Sequence, residues 1–213
     1  TGTYIDNAGT IKSAVKNLLT YNEDFTSNWT KNNLVALSVT TSAPIGNGVA
    51  YKIIPTSSAS DYHRFYQSYT SDGTVHTTSV YVKAAGYRYV HLRVGAGGSN
   101  YGNCFDLQES VALAGFFDGT NSLSAPDTNS IEDVGDGWYR ISVTETIPAG
   151  TSYVIAYISN SATTTSFTGD GTSGIYCWGF QHVKGTEIGE YVESTGASTN
   201  SAPRFTHERV ETG

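Results

Sequence analysis

Two neighbouring stretches of alternating residues near the middle of the chain constrain its fold more than any other feature. Residues 79–95 read SVYVKAAGYRYVHLRVG, and a turn at residues 84–87 separates the two stretches. Apolar side chains recur at every second position in both, which is the period of a β-strand with one face on a core. The pattern predicts two antiparallel strands that pair as a β-hairpin.

The two faces of this predicted hairpin differ in chemistry. The apolar face carries Val80, Val82, Val90, Leu92 and Val94. The opposite face carries rings and long hydrogen-bond donors, namely Ser79, Tyr81, Lys83, Tyr87, Tyr89, His91 and Arg93. An antiparallel sheet commonly leaves one face in water, so the second face is either a solvated surface or a platform for a ligand.

Further strand patterns occur at short intervals along the chain, separated by Gly, Asp and Ser turns. They cover residues 34–41, 49–54, 62–69, 101–107, 131–134, 138–144, 153–159 and 175–183. No segment has a helical period. The sequence therefore predicts an all-β fold, a two-sheet antiparallel jelly-roll sandwich. Residues expected between the sheets also include Tyr139, Ile141, Val143, Val154, Ala156 and Ile158.

The 213 residues are enough for one sandwich with a full core. We expect one module over residues 1–195, with an extended lead-in at 1–16. Residues 196–213 are expected to form a linker and the start of a further segment, because small and polar residues dominate there. The absence of Met and of a signal peptide indicates a piece of a longer protein. Trp29 is expected in the core, because large rings dominate burial in β domains.

The net charge of −7 argues against nucleic acid and anionic membranes as partners. No Lys/Arg cluster is present to replace the counterions of phosphate groups. Strongly acidic glycans are disfavoured on the same ground. No apolar run is long enough to span a bilayer.

Cys104 and Cys177 both fall in predicted strands and are distant in sequence. This separation excludes a local metal clip or redox pair. A disulfide requires close Cα atoms, which sequence does not show, so it stays open. Two free, partly buried thiols are the favoured expectation.

Several longer motifs carry a resemblance to known modules. They are NLLTYNEDFTSNWTK and SFTGDGTSGIYCWGFQHVKG, with SVYVKAAGYRYVHLRVG and DVGDGWYRISVT between them. Over residues 17–191 the chain resembles β-jelly-roll modules of bacteriophage tail and fibre proteins, which are similar to bacterial carbohydrate-binding modules. The resemblance implies a non-catalytic module of a virion or extracellular protein. It also implies a polysaccharide or cell-surface glycan bound across a concave sheet, with other domains, or a homotrimer, in the full-length protein.

The resemblance also implies a set of ligand-binding residues. Its glycan-binding positions correspond here to Tyr89, His91, Arg93, Tyr101, Tyr153 and Tyr157. For the late strand the residue alternation agrees independently, because Val154, Ala156 and Ile158 form its apolar side. Tyrosines replace the amides of the relatives, which favours stacking on a sugar over a dense hydrogen-bond network.

A structural calcium site of the relatives is not expected in this chain. The positions that carry the acidic calcium ligands in those relatives correspond here to Thr26 and to Gln181 and His182. We therefore expect no cofactor. Glu23, Asp24 and Asp170 leave an alternative calcium site open.

Two other functions are weighed against binding. A polysaccharide lyase needs a base, a tyrosine acid and a cation near the substrate carboxylate, which Tyr81, His91 and Arg93 could supply, with Gln181 and His182 nearby. A segment expected of such lyases is absent, and no facing carboxylate pair is predicted for glycoside hydrolysis. A purely structural virion module that trimerises through its aromatic residues is the other alternative.

Overall fold

The computed structural model describes residues 3–5, 11–13, 15–46, 48–57, 61–96, 99–113 and 124–196. Regular secondary structure in these ranges consists of strands, with no α-helix. Accordingly, the described ranges contain no helix that could cross a membrane.

Within the described ranges, sixteen strands form two large sheets and two small ribbons. The strands are β1 Thr3–Ile5, β2 Ile11–Ser13, β3 Thr30–Asn32, β4 Leu34–Ser42, β5 Val49–Pro55, β6 Asp61–Tyr62, β7 Arg64–Ser71, β8 Val75–Ala85, β9 Tyr89–Ala96, β10 Ser99–Asp106, β11 Val111–Leu113, β12 Thr128–Gly135, β13 Trp138–Thr146, β14 Gly150–Ser159, β15 Ser166–Phe167 and β16 Gly174–Lys184. Sheet I has the order β11-β10-β9-β14-β7-β3, and sheet II has the order β12-β13-β8-β16-β5-β4. Strand β1 pairs with β2, and β6 pairs with β15.

The pairings between these strands are antiparallel, and consecutive strands repeatedly change sheet. The prediction of an all-β, two-sheet jelly-roll sandwich is confirmed. Each predicted strand after residue 30 is present within a few residues of its expected bounds.

One continuous apolar core lies between the sheets. The side chains predicted to point inward are buried there or packed against it, including Val80 and Val82 from sheet II and Leu92 from sheet I. Trp29 is confirmed as a core residue. It lies against Phe25, with ring centroids 5.4 Å apart, and its Nε1 donates a hydrogen bond to the carbonyl oxygen of Tyr21 at 3.0 Å.

The predicted β-hairpin at residues 79–95 is wrong. Strand β8 pairs with β13 and β16 in sheet II, whereas β9 pairs with β10 and β14 in sheet I. The chain crosses from one sheet to the other between them, so the apolar faces of β8 and β9 meet across the core. The alternation of apolar and polar residues is the same whether two strands pair within one sheet or pack against each other from opposite sheets. Tyr81 and Lys83 consequently lie on the outer face of sheet II, away from His91 and Arg93.

Both cysteines are free and buried. Cys177 belongs to the core between the sheets, and Cys104 lies on the opposite side of sheet I. Residues 197–213, which include most of the predicted linker and the segment after it, lie outside the described residues. The division of the chain at residue 195 stays a prediction.

Candidate functional site

The outer face of sheet I carries a row of polar side chains, one from each of five adjacent strands. Strand alternation with an apolar inner side places these side chains outward. We call this set the polar row. It consists of Asn32 on β3, Arg64 on β7, Tyr157 on β14, Arg93 on β9 and Asn100 on β10.

Tyr157 is the centre of the polar row and is fully buried. Its hydroxyl accepts a hydrogen bond from Nη1 of Arg93 at 3.1 Å and another from Nη1 of Arg64 at 3.3 Å. An amide holds each guanidinium on its other side. Nε of Arg64 donates to Oδ1 of Asn32 at 3.0 Å, and Nε of Arg93 donates to Oδ1 of Asn100 at 3.2 Å. The two guanidinium groups are therefore oriented by the protein itself.

Three tyrosine rings surround Arg64 on the same side of the sheet. Its Cζ lies 5.6 Å from the ring centroids of Tyr62 and Tyr66 and 5.8 Å from that of Tyr157. Tyr66 in turn packs edge-on against Tyr153, with centroids 5.9 Å apart. Tyr153 is 40% exposed, so its ring offers an apolar surface to solvent at the border of the polar row. Such rings stack on flat apolar partners.

His91 lies on the predicted face but is not accessible. Its side chain is fully buried beneath the loop of residues 160–165, and its Nε2 is 3.2 Å from the carbonyl oxygen of Ser161. The Sγ of Cys104 lies 3.6 Å from the same nitrogen. Burial lowers the pKa of His91 to about 4, so the ring is neutral at pH 7. The arrangement makes His91 a support for the sheet face, without contact to a ligand.

Tyr101 does not lie on the predicted face. Its strand partner is Val94, a core residue, and the ring packs against the core between the sheets. The outward residues of β10 are the alternate ones, such as Asn100, whose partner is Gly95. The prediction for Tyr101 was wrong because β10 has few apolar residues, so its sequence does not show which alternate residues face outward.

Tyr89 is partly exposed at the far end of β9 from Arg93. Cζ of Arg88 lies 5.0 Å from its ring centroid, and Arg88 forms an ion pair with Asp106. Of the six predicted residues, Arg93 and Tyr157 are in contact. Tyr153, Tyr89 and His91 share their sheet face, and Tyr101 is separate.

Sequence reasoning missed the β7 side of the site, which supplies Arg64 and Tyr66. The signal was present in RFYQSYTS, because Phe65 and Tyr69 alternate with Arg64, Tyr66 and Ser68. Phe65 and Tyr69 are buried in the core, which places the other set outward. The two asparagines carried no comparable signal.

The residues weighed for a lyase do not come together. Tyr81 lies on the outer face of sheet II, buried against Trp178 at 5.3 Å between ring centroids, whereas His91 and Arg93 are on sheet I. Gln181 is used structurally, since its Nε2 donates to the carbonyl oxygens of Ile188 and Glu190 at 2.7 and 3.1 Å. The predicted lyase site is wrong, because β8 lies in sheet II and β9 lies in sheet I.

The carboxylates of the alternative calcium site have partners inside the chain. Asp170 accepts hydrogen bonds from the backbone N–H groups of Thr172 and Ser173 at 2.8 and 2.7 Å. The hydroxyl of Tyr191 donates to Glu23 at 2.7 Å. In the described ranges, no group of three or more His, Cys, Asp or Glu side chains is placed to hold a metal ion.

No protein-family model matches the chain, and no curated protein matches it in sequence. Among solved structures, it is similar to TmCBM61 in complex with beta-1,4-galactotriose, at 10% identity and TM-score 0.47, covering 79% of this chain and 99% of that one. It is also similar to the enzymatically active domain of bacteriophage CBA120 tailspike protein 4, at 13% identity and TM-score 0.44. This match covers 78% of this chain and 21% of that one. A third similar structure contains the CBM22-1 and GH10 modules of the Clostridium thermocellum xylanase 10B with xylohexaose, at 18% identity and TM-score 0.41. This match covers 84% of this chain and 30% of that one.

Proposed function

We propose that this chain is a non-catalytic module that binds a polysaccharide or cell-surface glycan across the outer face of sheet I. One observation carries the proposal: two oriented guanidinium groups share a sheet face with the Tyr66 ring, which packs near Arg64, and with the 40% exposed ring of Tyr153. Flat rings cover the apolar C–H faces of pyranoses. Guanidinium and amide groups donate hydrogen bonds to sugar oxygens and fix the orientation of the chain.

The proposed contact surface differs from the predicted set. Arg64, Arg93, Tyr66 and Tyr153 touch the sugar, with Tyr62 at the margin. Tyr157 acts as a positioning residue, because it is buried and orients both arginines. His91 and Tyr101 have no contact in this proposal, for the reasons of burial and strand parity given above.

A glycan array with the isolated chain tests the proposal, followed by titration of the best ligand. Replacing Tyr66 or Tyr153 by alanine is expected to reduce the affinity by about tenfold or more each, because one stacked ring is lost. Val111→Ala is the matched control, since this side chain is 40% exposed, as Tyr153 is, and lies on β11 outside the proposed contact surface. Single sites of this kind are weak, so the array should present the chain in multivalent form.

Two results would contradict carbohydrate binding. One is the absence of any glycan ligand from the array with a stable, multivalent protein. The other is an affinity that the two tyrosine variants leave unchanged.

A structural role in a virion is the second candidate, and an apolar edge favours it. Strand β4 is the last strand of sheet II, and Val35 and Leu37 on it are 46% and 47% exposed. Ile45 and Val49 nearby are exposed to similar extents. Open strand edges with apolar side chains pair readily with other chains. On this second proposal the chain is part of a phage tail or fibre protein, and light scattering should find a trimer that Leu37→Lys dissociates.

A further inference from the structure

A cleft of about 380 Å³ lies on the outer face of sheet II, on the opposite side of the sandwich from the polar row. One wall consists of residues 41–44, at the end of β4 and in the turn that follows, and the other of residues 134–136, where β12 turns into β13. Lys83 of β8 and Trp138 of β13 complete the lining. Small-molecule sites have volumes of about 300–1,000 Å³, so this space, which we call the turn cleft, is large enough for a small ligand.

Both walls of the turn cleft are fixed in place by the chain itself. The backbone N–H of Ala43 donates a hydrogen bond to the carbonyl oxygen of Gly48 at 3.2 Å, and Ala43 packs in the same apolar cluster as Trp138. In the opposite wall, Asp136 and Gly137 have φ values of 53° and 75°, as the two-residue turn of a hairpin requires. The cleft is therefore formed before a ligand arrives, which lowers the entropic cost of binding.

Lys83 lines the turn cleft between two aromatic side chains. Its strand neighbours are Trp138 on β13 and Tyr176 on β16, and the centroids of these two rings are 6.4 Å apart. Nζ of Lys83 donates a hydrogen bond to the carbonyl oxygen of Asp136 at 2.5 Å, and within the described ranges Lys83 makes this one hydrogen bond. Because an ammonium group has three N–H donors, two of them stay available for a ligand.

The polar groups around the turn cleft include donors, acceptors and both signs of charge. Thr41 and Ser42 carry hydroxyls, Lys83 an ammonium group and the exposed Asp136 a carboxylate. A cationic ligand would be repelled by Lys83 and an anionic one by Asp136. The lining therefore favours a neutral ligand that both donates and accepts hydrogen bonds. The partly exposed ring of Pro44 adds an apolar patch to the same wall.

From this arrangement we infer that the turn cleft is a second binding site, for a neutral saccharide of about one or two sugar units. Sugar hydroxyls donate and accept hydrogen bonds, and the C–H face of a pyranose covers an apolar patch such as that of Pro44. The site is independent of the face of sheet I. A chain that binds glycan on both outer faces holds two sugar chains, or two parts of one, and gains avidity without new contacts.

Proton–nitrogen correlation NMR of the isotope-labelled chain tests the inference, with cellobiose, lactose, maltose and xylobiose added separately at millimolar concentration. At least one disaccharide is expected to shift the backbone N–H signals of Gly135 and Asp136 and the indole N–H signal of Trp138 in a saturable manner. The same shifts are expected in Tyr153→Ala, because that ring lies on the other sheet.

Two substitutions should remove these shifts. Lys83→Met keeps the apolar stem and removes the ammonium group, and it should weaken binding about tenfold because a charge-assisted hydrogen bond is lost. Lys52→Met is the matched control, since Lys52 lies on β5 in the same sheet, pairs with Tyr176 and is not part of the lining. Ser42→Trp fills the cleft from an exposed position and should abolish binding even if Lys83→Met fails to fold.

The remaining outcomes overturn the inference. Shifts confined to the face of sheet I would do so, as would shifts at the turn cleft that persist unchanged in Lys83→Met and Ser42→Trp. Equal shifts with glycerol at the same concentration overturn the saccharide class, since glycerol has hydroxyls but no ring. Absence of shifts with every disaccharide overturns the second site alone, because glycan binding on sheet I is tested separately by the array and by the Tyr66 and Tyr153 variants.

Discussion

The imidazole rings of His76 and His182 are stacked in parallel, with centroids 5.0 Å apart and an angle of 2° between their planes. Both side chains are buried where β8 and β16 pair. Nδ1 of His182 lies 2.7 Å from Oγ1 of Thr78. Burial lowers the pKa of His182 well below its ordinary value, and the charge of a protonated His76 would lower it further. Burial also lowers the pKa of His76. Two neutral rings therefore occupy this part of sheet II at pH 7.

Acidification to pH 5 is expected to destabilise the protein through these rings. In the unfolded chain they take up protons below about pH 6.5, whereas in the folded chain burial shifts the pKa of both rings downward, so that they take up protons at lower pH. The unfolded state then binds more protons, so the free energy of unfolding falls as the pH drops from 7 to 5. Asp72 does not titrate in this window, since its hydrogen bond from Lys184 lowers its pKa to about 2.

Denaturant unfolding of the wild type and of His182→Phe across this pH range measures the effect. His91 has a pKa lowered to about 4 by burial and contributes a loss of the same sign in both proteins. The variant should therefore show a shallower slope without becoming independent of pH. Parallel curves for the two proteins would contradict the assignment to His182.

Leu92→Ala is expected to cost about 2 to 5 kcal/mol of stability, because it leaves a cavity in a packed core. Leu92 is fully buried among the residues between the sheets. Leu37→Ala is the matched substitution at a side chain that is 47% exposed, and it should change the free energy of unfolding by less than about 0.5 kcal/mol. Equal losses in urea titrations of the two variants would mean that Leu92 does not anchor the core.

Residue alternation predicted the inner face of the fold well. Val90, Leu92 and Val94 are buried as expected, because burial of one strand face is a local property that the sequence records directly. The pairing of strands is not local. The pattern of residues 79–95 fits a hairpin and a change of sheet equally, and the choice depends on the partners of β8, which come from β13 and β16.

The candidate site was only partly predictable for a related reason. Arg93, Tyr153 and Tyr157 were correctly placed on one face, since apolar neighbours fixed the parity of β9 and β14. Whether an outward side chain is exposed depends on what covers the sheet. Ser161 and its loop cover His91, and Tyr157 lies against the side chains of Tyr62, Arg64 and Arg93.

The two thiols are expected to be unreactive in the folded protein. Burial raises the pKa of Cys104 to about 12, and burial raises that of Cys177 as well. The thiolate is the reactive form. Titration with a chromogenic disulfide reagent should find no reactive thiol before unfolding and two after it. One fast-reacting thiol in the native protein would show that the surroundings of Cys104 or Cys177 open in the folded state.

Calcium is expected to be dispensable. In the part of the chain that the structure describes, no group of three or more His, Cys, Asp or Glu side chains is placed to hold a metal ion, and Glu23 and Asp170 already accept hydrogen bonds. Addition of a chelator should leave the melting temperature unchanged. A fall of several degrees would reveal a metal bound only by the native state, since such a ligand must stabilise it.

Tyr153 and Tyr157 lie on the same strand face but should respond differently to substitution. Tyr157 is fully buried, so Tyr157→Ala is expected to cost about 3 to 5 kcal/mol, as removal of a buried ring does. Tyr153→Ala should leave the melting temperature nearly unchanged, because 40% of that side chain is in solvent. We expect it to weaken glycan binding.

Tyr157→Phe separates the two roles of the buried ring. The variant keeps the ring and removes only the acceptor that Arg64 and Arg93 share. We expect it to fold with a loss of about 1 to 3 kcal/mol and to bind the glycan more weakly, because the guanidinium groups lose their common acceptor. Calorimetric melting and glycan titration of the three variants measure both effects. If Tyr153→Ala destabilised the protein as much as Tyr157→Ala, the exposed ring would belong to the core; if Tyr157→Phe bound as the wild type does, the orientation of the arginines would not depend on Tyr157.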